Sequence, residues 1–162
     1  MGKLVIVDDC LAPARFIYLD YSGPDPFGIS KKIAGMLKRF FGVSSAGISE
    51  TNFNWDNSGD PITFYFTWWV QRSYGSSLMR IDIKVQGARG KTKNVGNFTM
   101  ELRGKIVTKF GYKTSLLKSL WWIYAYLFYN RRRRNYVDIC RDYLQRFRRE
   151  IADHYNLKAR EG

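Results

Sequence analysis

The chain has 162 residues, 45% hydrophobic and 25% charged, the balance of one globular domain, which excludes a disordered or low-complexity chain. Two figures are unusual: 17% of the residues are aromatic and the net charge is +13. Residues 1–83 hold eight Lys and Arg against eight Asp and Glu, whereas residues 84–162 hold nineteen against six, so the whole excess lies in the second half and points to an anionic partner.

In chain order, residues 3–7 (KLVIV) and 15–21 (RFIYLDY) are short strands, joined by a linker, DDCLAPA, with turn-forming Asp and Pro. A helix follows. Asp25 and Pro26 form an N-cap and first-turn pair, Phe27, Ile29, Ile33, Met36, Leu37 and Phe40 share one face, and Gly42 ends the run. Residues 48–55 are a weaker strand, closed by the turn DNSGDP. Three segments then alternate with period 2. Ile62, Phe64, Phe66, Trp68 and Val70 share a face, as do Met79, Ile81, Ile83 and Val85, and again Phe98, Met100, Leu102, Ile106 and Phe110. Separated by RSYGSS and GARGKTKN, they describe an antiparallel meander, apolar on one side and polar on the other.

The end of the chain is helical. Thr114 or Ser115 caps a helix running to about residue 129, and a second carries Tyr136, Cys140, Tyr143, Leu144, Phe147, Ile151 and Tyr155 on one stripe. The first contains SLWWIYAYLFYNRRRR (119–134), a dense aromatic block against four consecutive arginines. Its ten apolar residues rise about 15 Å, half of a hydrocarbon core, so they do not span a bilayer. A helix apolar all round is ordinarily buried, and core is the expected role of this block. An interfacial anchor and a base-stacking surface are the competing ones. The expectation is one α+β domain over residues 1–162, an antiparallel sheet of four to six strands with helices on its apolar face and a basic helical region at about 114–156. This element order is similar to the helix-grip layout of START and Bet v 1-like domains, in which a C-terminal helix packs over a curved sheet; the likeness rests on element order alone.

Chemical motifs are few. GARGKT (87–92) ends like a phosphate-binding loop, but position 85 is Val where a Gly belongs and strands lie on both sides. Asn54, Asp56 and Ser58 match a calcium loop in part, yet Tyr occupies position 65 where the bidentate Glu belongs. His154 is the only histidine, and no nucleophile–base pair or metal-ligand spacing occurs. No catalytic residue, metal or cofactor is therefore assigned. Cys10 and Cys140 belong to no CxxC pair, and with no secretory apolar segment after Met1 the simplest expectation is reduced thiols in a cytoplasmic protein.

These features favour a non-catalytic module that binds RNA or a ribonucleoprotein. Arg131, Arg132, Arg133, Arg134, Arg148 and Arg149 form a strip suited to phosphates, with Arg89, Lys91 and Lys93 at a hairpin tip. Tyr65 and Trp69, among Arg80, Lys84, Arg103 and Lys105 on the polar sheet face, are candidate base-stacking residues. The alternative is a lipid-binding or membrane-surface protein of helix-grip shape. It requires Trp121, Trp122, Tyr126 and Phe128 to be exposed or to line a cavity.

Overall fold

The structure is a computed structural model that describes residues 2–43 and 47–155, without the side chains of residues 50–52. Among these, six strands and three helices follow one another as β1 (Gly2–Asp9), β2 (Ile17–Pro24), α1 (Gly28–Phe41), β3 (Ile48–Asp56), β4 (Ile62–Tyr74), β5 (Ser77–Arg89), β6 (Val95–Tyr112), α2 (Ser115–Leu127) and α3 (Asn130–His154). The strands form one antiparallel sheet with β3, β4, β5 and β6 side by side. β6, with 18 residues, is long enough to take two partners on its far edge. β1 pairs with its C-terminal half (Leu4↔Phe110) and β2 with its N-terminal half (Leu19↔Met100). The α+β class, the meander and the helices on one face are as the alternation predicts, and the order is compatible with the helix-grip layout.

The alternating residues explain the layering. Ile62, Phe64, Phe66, Trp68 and Val70 from β4, Met79, Ile81, Ile83 and Val85 from β5, and Phe98, Met100, Leu102 and Ile106 from β6 are all buried on one face. α1 contributes Ile29, Ile33, Met36, Leu37 and Phe41 to that core, and α3 contributes Leu144, Phe147 and Ile151. The two helices meet where Phe41 stacks on Phe147 at 5.6 Å. A second, smaller cluster of Leu4, Ile6, Phe110, Ala125 and Tyr129 joins β1, β6 and α2 at the end of the sheet.

Two local expectations are corrected. Gly42 does end α1 with a left-handed φ of 61°, but Asp25 does not cap it. The Asp25 backbone N–H bonds to the Asn94 carbonyl at 2.9 Å, holding the residue at the sheet edge, and the helix starts at Gly28 behind Phe27 with no side-chain cap. The cysteines, expected as free thiols, are joined as a Cys10–Cys140 disulfide, with Cα atoms 5.9 Å apart. Sequence separation hid the pairing. The linker after β1 crosses β6 at Gly104, whose carbonyl accepts from the Cys10 N–H at 3.0 Å, and α3 passes over the same point. Only glycine fits there: a Cβ on Gly104 would lie 2.7 Å from the Cys140 sulfur and 3.3 Å from that of Cys10. The pairing removes the free-thiol argument on which a cytoplasmic setting rested.

Candidate functional site

α2 starts where the sequence predicts, with the Thr114 hydroxyl accepting from the Leu117 N–H at 3.2 Å. One side of the helix is seated. Trp121 stacks flat on Phe110 at 4.8 Å and donates its indole N–H to the Gly111 carbonyl at 2.8 Å, and Ala125 is buried below it. Phe128 and Tyr129 both donate their backbone N–H to the Tyr124 carbonyl at 2.9 Å, and this wide turn separates α2 from α3. Tyr129 points inward and places its hydroxyl 3.2 Å from Ser77, which is itself 2.7 Å from Thr108.

The other side of α2 has no cover among the described residues. Leu116 is 73% exposed, Leu120 53%, Ile123 51% and Leu127 72%, a stripe at spacings of four, three and four residues; Phe128 beside it is 71% exposed. Trp122 and Tyr126 stack on each other at 5.1 Å, both exposed. The expectation that the aromatic block is core is thus overturned for all but Trp121, Ala125 and Tyr129, with Leu117 half-buried just ahead of it. The core it would have entered is already filled by α1 and α3, and α2, attached to the end of β6, reaches only the small cluster at the sheet's end. No helix among the described residues is long and apolar enough to cross a membrane.

The arginines divide into two groups. Arg133 turns inward, is 8% exposed, and makes two hydrogen bonds of 3.0 Å to both carboxylate oxygens of Asp8 on β1. These bonds hold its guanidinium above its ordinary pKa against the opposing effect of burial. Arg141 donates to the Cys10 and Ala12 carbonyls, and Arg148 to the Tyr18 carbonyl at 3.0 Å. Spaced along one side of α3, these three residues tether the helix to β1, the linker and β2. Arg131, Arg132, Arg134 and Arg149 are exposed and make no salt bridge among the described residues. The first three stand at the N-terminal end of α3, where the helix dipole is also positive and no acidic residue lies in the first turn. A surface anion there would relieve both.

The remaining predicted residues lie elsewhere. Lys91 and Lys93 are exposed at the β5–β6 tip, while Arg89 is half-buried with its guanidinium 5.4 Å from the Trp55 ring centre. Asp8, beside Arg133, is opposite Ile106, so the tip and the arginine cluster are roughly 35 Å apart along β6 and form no single patch. On the open sheet face the rings of Tyr65 and Trp69 each carry a cation, Lys84 and Arg80 respectively, at 5.5 Å. Asp82 bonds both Arg80 and Arg103, and Glu101 lies opposite Lys84, so much of this face's positive charge is answered internally. Of the four residues that the membrane alternative requires to be exposed, Trp122, Tyr126 and Phe128 are, whereas Trp121 is half-buried against Phe110; sequence reasoning did not single out the stripe of Leu116, Leu120, Ile123 and Leu127. Its only sequence signal was apolar residues on every side of a short helix. Comparison of the chain with known protein families, curated proteins and solved structures yields no match.

Proposed function

We propose that this protein binds an anionic membrane surface peripherally, with α2 lying in the interface and Arg131, Arg132 and Arg134 against the headgroups. The observation that carries this reading is the exposed stripe of Leu116, Leu120, Ile123 and Leu127 on a helix followed, across the turn at Phe128 and Tyr129, by Arg131, Arg132 and Arg134, which form no salt bridge among the described residues. Burying each half- to three-quarters-exposed side chain contributes about 1–2 kcal/mol, and each cation held near an anionic surface about 1 kcal/mol. Lys113, exposed just ahead of α2, and Lys118, exposed in its first turns, add positive charge at the other end of the helix. Exposed Trp122, Tyr124 and Tyr126 have the amphipathic rings that favour the headgroup level.

A second reading, RNA or a ribonucleoprotein, is supported by the same free arginines but leaves the apolar stripe without a purpose. One experiment separates the two: flotation with vesicles of phosphatidylserine and phosphatidylcholine, beside filter binding to single-stranded RNA. The expected result is binding to the anionic vesicles, weakened by salt, and lost both in an Ile123→Glu/Leu127→Glu variant and when Arg131, Arg132 and Arg134 become Gln. RNA binding that survives the α2 variant, with no vesicle binding, would transfer the function to RNA. A dimer by sedimentation that the α2 variant converts to monomer would assign the stripe to a second copy of the chain.

A further inference from the structure

The open face of the sheet, opposite the helices, is chemically two surfaces. Toward the C-terminal end of β4 it carries the charge ladder Trp69–Asp82–Arg103 and its neighbours Arg80 and Lys105. Toward the other end, one register row crosses five strands as Asn54, Tyr65, Gln86, Thr99 and Asp20, and the next runs Asp56, Thr63, Ala88, Asn97 and Ser22. Between these rows lies a concavity of about 500 Å³ lined by Asn54, Asp56, Thr63, Tyr65, Gln86 and Asn97, among others. It falls within the size range of small-ligand sites. Among the described residues no Lys or Arg lines it.

From this lining we infer that the concavity binds a neutral, polyhydroxylated ligand of the oligosaccharide class. The described lining supplies no cation of its own, and Lys84, which sits over the Tyr65 ring, lies opposite Glu101, an arrangement that argues against a phosphate or sulfate. The carboxamides of Asn54, Gln86 and Asn97 each offer donors and an acceptor, as the alternating hydroxyls of a sugar require, and the Tyr65 and Thr63 hydroxyls add groups that do both. Carboxylates sit at opposite corners of the two rows, Asp56 in the lining of the concavity and Asp20 just beyond it. Asp56 is held below its ordinary pKa by hydrogen bonds from the Ser58 hydroxyl and N–H, and Asp20 accepts from the Thr99 hydroxyl at 2.7 Å. Both are acceptors for ligand hydroxyls at the ends of the rows. Strand spacing makes the five-strand row about 19 Å long, which favours an extended chain lying across the strands. Ala88, between Thr63 and Asn97 in the second row, contributes only a methyl and leaves the floor open.

The test is isothermal titration of the full chain with neutral linear hexasaccharides of glucose, mannose and galactose, and with a heparin-derived hexasaccharide as the charged probe. At least one neutral probe is expected to bind, with an affinity insensitive to salt. Gln86→Ala and Asn97→Ala, exposed positions at which folding is little affected, are expected to weaken it roughly tenfold each, while Trp69→Ala on the charged half leaves it unchanged. Failure of every neutral probe to bind overturns the proposal. So does binding that both amide variants retain, or binding confined to the heparin probe and abolished by salt.

Discussion

Reducing the Cys10–Cys140 disulfide is expected to lower the stability of the fold by a large and calculable amount. The bond closes a loop across a sequence separation of 130 residues, from the linker after β1 to the middle of α3. In the chain-entropy description a loop of that length removes about 16–17 cal/mol/K from the unfolded ensemble, worth about 5 kcal/mol at 25 °C. Both sulfurs are fully buried beside Gly104 and Leu144, and in this description the loss falls on the unfolded side. For a chain of this size each kcal/mol moves the melting temperature by about 2–4 °C, so reduction is expected to lower it by about 10–20 °C. The assay is thermal melting by circular dichroism with and without a phosphine reductant, beside a Cys10→Ala/Cys140→Ala variant whose melting is expected not to respond to reductant. A thiol titration of the unfolded, unreduced protein is expected to find no free thiol. Melting that reduction shifts by less than about 2 °C would refute the reasoning, because a closed loop of this length cannot contribute so little unless the unfolded chain is already held compact.

Three further outcomes follow from the packing. Leu120→Ser and Ile123→Ser, on the uncovered side of α2, are expected to change stability by less than about 0.5 kcal/mol in urea melts, whereas Trp121→Ala, which removes the Phe110 stack and the bond to Gly111, costs about 2 kcal/mol. Arg133→Gln is expected to cost about 2 kcal/mol by the same measurement, less than for a fully buried pair because the Asp8 side chain keeps 24% of its exposure, while Arg131→Gln is neutral. Burial raises the pKa values of Tyr155, Tyr74, Tyr136 and Tyr21, so above about pH 10 the unfolded chain releases protons that the folded one retains; stability measured by urea titration is expected to fall as the pH climbs through that point, with no loss from this source below it.

The strands of the meander were legible because period 2 is a direct consequence of strand geometry. A residue such as Phe66 or Ile83, alternating with Thr67 or Lys84, has one side on which to be buried wherever its neighbours lie. The stripes of α1 and α3, the Thr114 cap and the Gly42 terminus were legible for the same reason, since each is settled within a few residues. Asp25 was misread because Asn94, far along the chain, engages it: the Asn94 carbonyl accepts from the Asp25 N–H and the Asn94 side-chain amide donates to the Asp25 carboxylate at 3.4 Å.

The sequence by itself determined the period of each element, the polarity of each face and the concentration of positive charge in the second half. Which charges remain free was decided only by the tertiary structure: Arg131 and Arg133 are the same residue type two positions apart, yet one faces solvent and the other meets Asp8 from a strand 125 residues away. The same holds for Cys10 and Cys140, whose meeting depends on where the linker crosses β6, and for α2, whose apolar surface exceeds the core left to cover it. Local pattern states which face of an element is apolar; only packing decides whether another element is there to bury it, because the space beneath a helix is allotted by all the others.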